Sequence, residues 1–277
     1  GAQEEFLSVG RLDDLQCAFA SLKGFLGGEK KEHVAVHCVL DNEEVGSSTK
    51  QGAASTFLYD VLVRMTRSLG MDYEDYLRTL ADSFMVSADN GHALHPNYTE
   101  KADPVNRPVL NQGIVIKYAG NQKYCTDAVS AAMFKDLCKQ AEAPYQTFTN
   151  HSDVPGGSTL GNISNTKVAL NSVDVGLPLL AMHSPYETAG LKDTYYLIEA
   201  AKKLFVTQPS ISQLIKNMET QLGAPLFDRS SSPIQLTPIG QAYYDAAKKI
   251  LSTERELENR ISDINNLKTG SLTIGTT

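Results

Sequence analysis

The chain has 277 residues, of which 42% are hydrophobic and 21% are charged, and its formal net charge is −7. A chain of this length forms one large domain or two modest ones, and the composition is that of an ordinary globular protein. No run of about 18 apolar residues occurs, so we expect no membrane-spanning segment and no membrane partner. No signal segment is visible, which favours a cytoplasmic location.

The first elements lead to an acidic turn. A helix is predicted from apolar residues three and four positions apart, and Asp13 in its first turn suits the helix dipole. The apolar run 33–40 predicts a buried strand that ends at Asp41-Asn42-Glu43-Glu44. Adjacent carboxylates at a strand end repel each other and lose hydration unless a cation or a proton compensates. We therefore place a candidate metal site at Glu43 and Glu44.

Further strands and helices follow in alternation. Apolar runs predict strands, and amphipathic spacing predicts helices at 47–69 and 128–141. The predicted strands are 83–88, 113–117, 145–149 and 168–175. This alternation is typical of an α/β fold with a mainly parallel sheet, whose functional residues gather at the carboxyl ends of the strands. Asp89 follows one apolar run and His183 another, so we expect both to join Glu43 and Glu44.

Carboxylates with a histidine favour zinc or a similar divalent ion. A hydrolase with two metal ions also needs a base that is not itself fully occupied as a ligand, and Glu43 and Glu44 can divide these roles. Two alternatives stay open on spacing alone. The residues can be solvated loop acids with an ordinary histidine, or part of a magnesium phosphohydrolase. The glycine-rich turn 156–161 lacks the lysine of a phosphate-binding loop.

Several motifs occur together and in a fixed order. They are Arg-Leu-Asp at 11–13, Leu-Asp-Asn-Glu-Glu-Val-Gly-Ser at 40–47, Ser-Ala-Asp at 87–89, Val-Ile-Lys at 115–117, Gly-Gly-Ser-Thr-Leu-Gly at 156–161 and Leu-Ala-Met-His-Ser at 180–184. With them, residues from about 5 to 198 resemble an N-terminally truncated catalytic domain of the aspartyl aminopeptidase family of dizinc peptidases, and we assign 1–198 to this partial domain. The resemblance implies a three-layer α/β fold with helices on both faces, bound Zn2+, and release of N-terminal acidic residues from peptide substrates.

The same resemblance implies a role for each candidate residue. Asp13 would bridge two zinc ions, in place of its dipole role, and Glu43 would be the general base. Lys117 and Tyr124 would line a pocket for an acidic side chain, although Lys117 can instead be a solvated strand-end lysine. The other ligands would be Glu44 and His183 on one ion and Asp89 on the other. The family has a further histidine ligand upstream, for which no candidate precedes Asp13. We therefore expect one zinc ion or two weakly bound ions, and little or no peptidase activity.

The last third of the chain has a different character. Residues 199–277 carry nine Lys or Arg and eight Asp or Glu, whereas residues 1–198 carry 16 and 24. A short helix, a turn at 206–207 and a helix with Pro209 in its first turn have helix-turn-helix form. Polar side chains at the start of such a helix can reach base edges in duplex DNA. The candidate contacts are Gln208, Pro209, Ser210, Ser212, Gln213 and Lys216.

The continuation of this segment strengthens the prediction. Leu222–Arg229 and Leu236–Gly240 resemble the winged helix-turn-helix of LysR-type transcriptional regulators. The resemblance implies DNA binding through 199–236, with Arg229 near phosphate, and a dimerising linker helix in 237–277 that Thr237 caps. We therefore expect a homo-oligomer in which a partial aminopeptidase segment is fused to a DNA-binding module. The alternative is a dimeric regulator fragment that carries an inactive peptidase remnant, and residues 199–277 can also be a helical appendage without DNA function.

Overall fold

The computed structural model describes residues 1–28, 33–154, 156–204, 211–228 and 234–265. The chain divides into two compact units, residues 1–208 and 209–277. Within the described ranges, no helix combines the length and the apolar character needed to cross a membrane. None of the four cysteines, all of which are described, forms a disulfide.

The first unit is a mixed α/β fold, in agreement with the predicted class. Its strands are β1 (Phe6–Val9), β2 (Phe84–Ala88), β3 (Gly91–His92), β4 (Ile114–Tyr118), β5 (Tyr145–Thr149), β6 (Asn171–Gly176), β7 (Pro178–Leu180) and β8 (Glu187–Gly190). Its α-helices are α1 (Leu12–Gly27), α2 (Phe57–Ser68), α3 (Tyr73–Ala81), α4 (Ala128–Gln140), α5 (Leu160–Ser164) and α6 (Leu191–Leu204).

These strands form two four-stranded sheets with mixed directions. One has the order β2-β6-β4-β5, and the other has the order β1-β8-β7-β3. In the first sheet β2 is parallel to β6 and β4 is parallel to β5, but β4 is antiparallel to β6. In the second sheet β8 is antiparallel to both of its neighbours. Two of the three pairings in the first sheet are thus parallel, in agreement with the predicted mainly parallel sheet, whereas the antiparallel β4–β6 pairing was not predicted, because sequence alternation does not record the direction in which a strand returns.

The two sheets are joined where their strands continue into one another. β2 runs through Asp89 and Asn90 into β3, and β6 runs through Leu177 into β7. The hydrogen bonds between these two paths persist across the junction, since the Asp89 N–H donates to Val175 O and the Gly91 N–H donates to Leu177 O, at 3.1 and 3.0 Å. The junction therefore gives Asp89 a fixed position between the sheets.

The main core lies between the first sheet and three helices. Ile116 and Val173 from the sheet are fully buried together with Phe134 of α4 and Leu197 of α6. Helix α1 packs closely on α6, because a Cβ atom on Gly24 would lie only 2.3 Å from the Ala201 Cβ. This packing fixes the start of α1 relative to the sheets, and the start of α1 carries Asp13.

The predicted buried strand at 33–40 is wrong. The segment is extended but has no sheet partner, and the Val34 and Val39 side chains are 65% and 64% exposed. Apolar residues favour a strand only where a neighbouring strand offers its hydrogen-bonding edge, and neither sheet does so here. The predicted helix 47–69 is confirmed only from Phe57 onward. Ser47 has a φ of +60°, and the Ser55 hydroxyl accepts the Phe57 N–H at the start of α2.

The second unit contains α7 (Ile211–Leu222), a hairpin of β9 (Phe227–Asp228) and β10 (Gln235–Leu236), and the long helix α8 (Pro238–Asn265). Thr237 caps α8 as predicted, because its hydroxyl accepts the Gly240 N–H at 2.9 Å. Glu219 of α7 accepts the Leu226 N–H at 2.8 Å and so ties the hairpin to that helix. A helix followed by a two-stranded wing and a long helix is therefore present in the backbone.

Candidate metal centre

Three side chains from distant segments meet at one point in the first unit. The Nε2 atom of His183 lies 3.0 Å from Asp13 Oδ2 and 3.0 Å from Glu44 Oε1. The side chains of His183 and Glu44 are 60% and 57% exposed, whereas that of Asp13 is 4% exposed. We call His183 and Glu44 the exposed half of the centre. Together with Asp13, the exposed half offers one imidazole and two carboxylates that could bind a single metal ion.

The backbone brings Asp13 and His183 together through unusual conformations. Asp13 belongs to the first turn of α1 by position, but its φ and ψ of −83° and 109° are not helical. The helix-dipole interpretation of Asp13 is therefore wrong, since its side chain turns toward His183 instead. Arg11 and His183 have φ values of +66° and +64°, which non-glycine residues adopt at a cost of about 1–2 kcal/mol. The surrounding structure must hold both segments in place.

Glu43 and Glu44 occupy a turn rather than a strand end. Asn42 has a φ of +59°, and the Ser47 N–H donates to Asn42 O at 2.9 Å to close the turn. The Gly46 N–H donates to Glu43 O at 2.8 Å. Burial, then the nearby Asp89 and Glu44 carboxylates, raises the pKa of Glu43 to about 7. A carboxyl group with a pKa near neutrality can both accept and release a proton.

Beneath the exposed half lies a group of enclosed charges, which we call the buried half and which consists of Asp14, Asp89 and Lys117. The carboxylate oxygens of Asp13, Asp14 and Asp89 lie within 4.8 Å of one another. The Lys117 ammonium donates to Asp89 Oδ2 at 3.1 Å and to the Asn90 carbonyl at 2.8 Å. The Asn90 N–H in turn donates to Asp14 Oδ1 at 3.2 Å. One lysine thus partly offsets three carboxylates.

The closely spaced carboxylates shift the pKa values of the groups in this region. Burial, then Asp89 and Glu44, raises the pKa of Asp13 to about 7, against a lowering by His183. Burial, then Asp89, raises the pKa of Asp14 well above its usual range. For Lys117, burial lowers the pKa, but the charges of Asp89, Tyr124 and Asp174 together with the Asp89 hydrogen bond raise it by more, so the net shift is upward. The centre carries more negative charge than its own cations neutralise.

The residues predicted to bind substrate lie beside the buried half. Lys117 is only 3% exposed, so the alternative of a solvated strand-end lysine is wrong. Its ammonium lies 5.7 Å from the centre of the Tyr124 ring, and the Tyr124 hydroxyl accepts a hydrogen bond from Asn150 Nδ2 at 3.3 Å. The structure therefore brings Lys117, Tyr124 and Asp89 into one neighbourhood, where Lys117 already binds Asp89.

Two residues of the centre are absent from the sequence prediction. Asp14 is part of the buried half, and its only signal is a second aspartate next to Asp13. Glu187 is 2% exposed and accepts backbone N–H groups from both Asp13 and His183. It lies in β8, a short strand of polar and small residues that has no apolar run to reveal it. Spacing alone could not have found Glu187.

The predicted DNA contacts are only partly within the described chain. Gln208, Pro209, Ser210 and Arg229 lie outside the described residues. The backbone of α7 includes Ser212, Gln213 and Lys216, whose side chains are likewise outside the description. The predicted contacts therefore stay predictions.

The donor set of the exposed half fits zinc. Zinc is bound in proteins by histidine nitrogen and carboxylate oxygen, often with three protein ligands and one open position. Asp13, Glu44 and His183 supply that combination, and the exposure of two of them leaves an approach from solvent. The second group of Asp13, Asp14 and Asp89 offers oxygen alone among the described residues, a set better suited to harder cations.

Comparison with known proteins gives two separate matches. The sequence model of the aminopeptidase I zinc metalloprotease (M18) family matches residues 1–205. That of the bacterial regulatory helix-turn-helix proteins of the lysR family matches residues 194–241. A probable M18 family aminopeptidase 2 from Clostridium novyi is 49% identical over 205 residues, which are 74% of this chain and 47% of that protein. A probable aspartyl aminopeptidase from Ricinus communis is 39% identical over 212 residues, which are 74% of this chain and 43% of that protein. The chain thus spans about half the length of these relatives.

Solved structures agree in fold. The chain is similar to one in a complex of Ape4 and Nbr1, with a TM-score of 0.70 and 35% identity over 80% of this chain and 42% of that chain. It is also similar to the mApe1 dodecamer of S. cerevisiae, with a TM-score of 0.64 and 28% identity over 74% of this chain and 47% of that chain. The two family matches overlap at 194–205, which falls mostly within α6.

Proposed function

This chain belongs to the aminopeptidase I family of M18 zinc metalloproteases, and we propose that residues 1–198 form a zinc-dependent aminopeptidase segment that removes N-terminal residues from peptides. The observation that carries the proposal is the meeting of His183 Nε2 with Asp13 Oδ2 and Glu44 Oε1 at 3.0 Å. Two carboxylates that converge on one imidazole in this way favour a cation between them.

Asp13, Glu44 and His183 would hold one zinc ion, and Asp89 with Asp13 would hold a second ion more weakly. Zinc at this position would lower the pKa of bound water and polarise a peptide carbonyl. Asp13 is suited to serve both ions, because it lies between the exposed and buried halves. The weaker second site follows from its all-oxygen ligands among the described residues.

Glu43 is the proposed general base. It neighbours a ligand residue, is half-buried, and has a pKa of about 7 through burial and the carboxylates of Asp89 and Glu44. A carboxylate so placed takes a proton from the attacking water and returns it to the leaving amine. Glu44 in the next position points to His183, so the two adjacent side chains do not compete for one role.

We propose a preference for acidic N-terminal residues on weaker support. Lys117 is a buried cation beside Asp89 and the Tyr124 ring, and two of its three N–H groups already donate to Asp89 and Asn90. The third N–H group is the one that a substrate carboxylate could accept. The similarity to a probable aspartyl aminopeptidase also supports this preference.

The test of peptidase function compares the wild type with Glu43→Gln. With zinc supplied, the wild type should hydrolyse aspartyl p-nitroanilide slowly, and the alanyl compound more slowly still. Glu43→Gln should lower kcat by about 10²–10⁴-fold while zinc content stays unchanged. The exposed Glu142→Gln is the matched control and should keep wild-type turnover. Zinc-loaded wild type with no turnover, or Glu43→Gln at wild-type rate, would contradict the proposal.

We propose duplex DNA binding through 199–236 as a second function, either beside the peptidase or alone with residues 1–198 as an inactive remnant. The support is the lysR-family match at 194–241 together with α7, the β9–β10 wing and the Thr237-capped α8. A Gln213→Ala, Lys216→Ala double variant should shift duplex DNA more weakly than the wild type at every salt concentration. The same substitutions in α8, Gln241→Ala and Lys249→Ala, are the control. Equal shifts by both double variants would remove this function.

We further propose that copies of the chain associate. Ile250 and Leu257 lie seven residues apart on α8 and are 67% and 57% exposed, a spacing that suits helix pairing. The S. cerevisiae relative mApe1 is a dodecamer, which also supports association. Light scattering at micromolar concentration should give a mass above that of one chain, and a monomer would contradict this proposal.

A further inference from the structure

Glu187 is a buried carboxylate that lies against the metal centre without belonging to its candidate ligands. It is 2% exposed and sits at the first position of β8, opposite Val9 of β1. Both of its oxygens are engaged by backbone groups. The His183 N–H donates to Oε1 at 2.7 Å, and the Asp13 N–H donates to Oε2 at 3.1 Å. Each oxygen thus accepts one backbone N–H, and the two N–H groups belong to two of the candidate zinc ligands.

The two residues that Glu187 holds are the ones that need holding. Asp13 and His183 lie 170 positions apart, and their two segments contain three of the non-glycine residues with positive φ, namely Arg11, Ala181 and His183. Such backbone conformations persist only where surrounding contacts fix them. A single carboxylate that accepts one N–H from each segment fixes both at once and sets the distance between them.

We infer that Glu187 is a positioning residue that sets the separation of Asp13 and His183 and thereby the zinc affinity of the exposed half. The inference rests on the proposed function, since it concerns the same ions. A glutamine at this position has one acceptor oxygen and one NH2 group that cannot accept an N–H. In Glu187→Gln, the backbone N–H of either Asp13 or His183 therefore faces the NH2 group, which is a donor, and loses its hydrogen bond. The segment with the lost bond should become more mobile.

The chain offers a matched control far along the fold. Asp193 at the start of α6 is fully buried and also accepts two backbone N–H groups, from Asn111 at 2.6 Å and from Gly113 at 2.8 Å. Asp193→Asn removes one acceptor from the same kind of buried clamp, but the amides it holds do not carry candidate ligands. A merely structural role for Glu187 predicts that the two variants behave alike toward zinc.

The experiment measures zinc affinity by chelator competition and amide hydrogen exchange on the zinc-free full chain. Glu187→Gln should weaken zinc binding by about 10–100-fold and speed exchange of the Asp13 or His183 amide at least about tenfold. Asp193→Asn should speed exchange at Asn111 or Gly113 and keep the zinc affinity within about twofold of wild type. Unchanged zinc affinity in Glu187→Gln, despite a released His183 or Asp13 amide, would overturn the inference.

Two further results keep the inference testable. If Glu187→Gln does not fold, Glu187→Asp is the second variant, because it retains both acceptor oxygens on a shorter side chain. It should weaken zinc binding, but by less than the loss expected of Glu187→Gln, and an unchanged zinc affinity would overturn the inference. In the wild type itself, the Asp13 and His183 amides should be protected without zinc, and exchange at the rate of open loop amides would overturn the inference. A wild type that binds no zinc would instead refute the proposed function, while the exchange of these two amides still decides whether Glu187 holds them.

Discussion

The exposed and buried halves of the metal centre solve the same electrostatic problem in different ways. In the exposed half, Glu44 and His183 remain in contact with water, which solvates their charges and leaves room for an incoming substrate. In the buried half, the Lys117 and Asp89 side chains are 4% and 16% exposed, so an internal ammonium must replace water. The difference is therefore one of charge compensation: solvent compensates the charges of the exposed half, and a paired ammonium compensates those of the buried half.

Removing the internal cation of the buried half should cause the largest change in stability. Lys117→Met should lower the free energy of unfolding by about 3–5 kcal/mol, because it leaves Asp89 enclosed and unpaired beside Asp14. Lys123 is the control, since its ammonium donates to a neutral carbonyl, Gly156 O, at 2.6 Å and forms no ion pair with the described residues. Lys123→Met should cost about 1 kcal/mol. Urea unfolding of the zinc-free proteins measures both values, and equal costs would contradict the assigned difference.

The second largest effect is expected in the pH dependence of stability, because carboxyl groups at the centre have raised pKa values. The pKa values of Asp13 and Glu43 are about 7 in the folded chain, against usual values of 3.8 and 4.5. Between these limits the folded chain binds more protons than the unfolded chain, so its stability falls as pH rises. His183, whose pKa is raised by Glu44 and Asp13 against the lowering by burial, loses a favourable charge in the same direction.

We expect the zinc-free protein to lose on the order of 2 kcal/mol between about pH 4.5 and 7.5, after allowance for solvent screening. Zinc should flatten this slope, because the ion binds the deprotonated carboxylates. Urea midpoints with a chelator and with zinc measure the effect, and Glu43→Gln should reduce it. A zinc-free protein that becomes more stable as pH rises through this range would show the assignment to be wrong.

The smallest expected change in stability belongs to the exposed half. Glu44→Gln should alter the free energy of unfolding by less than about 1 kcal/mol, because a surface ion pair contributes little. The same substitution should weaken zinc binding by at least about tenfold, since it removes a ligand charge. Glu74→Gln is the control, because Glu74 is 62% exposed and pairs with Arg78 at 3.3 Å. Glu74→Gln should leave zinc affinity unchanged. An equal loss of zinc affinity in both variants would contradict the assignment of Glu44 as a zinc ligand.

Much of the fold was predictable where local pattern and tertiary partner agree. Strand β4 was found because its apolar run is buried in the core, and helix α4 was found because its apolar residues follow the helical period and face the core. Segment 33–40 has a strand composition without a neighbouring edge, and no local pattern reveals that lack. The directions of β4 and β6 were missed for a related reason, since pairing geometry depends on the whole path of the chain.

The candidate site shows a similar division. Glu44, Asp89 and His183 could be proposed from the sequence, because each stands after an apolar run or in an acidic turn. Asp14 was hidden by its neighbour Asp13, for which a dipole role was locally sufficient. Glu187 was hidden because its function lies in two hydrogen bonds to backbone, one of them 174 positions away. Residues that hold others in place leave little trace in sequence spacing.

The pairing of β1 with β8 determines when the centre can exist during synthesis. Phe6 lies opposite Gly190, and Asp13 reaches His183 across 170 positions. At about 5–20 residues per second, a ribosome needs roughly 10–30 s to pass from Asp13 to His183. During that interval the nascent chain carries its acidic residues without the histidine that would complete the centre. The three side chains of the exposed centre therefore cannot come together before translation of the first unit is nearly complete.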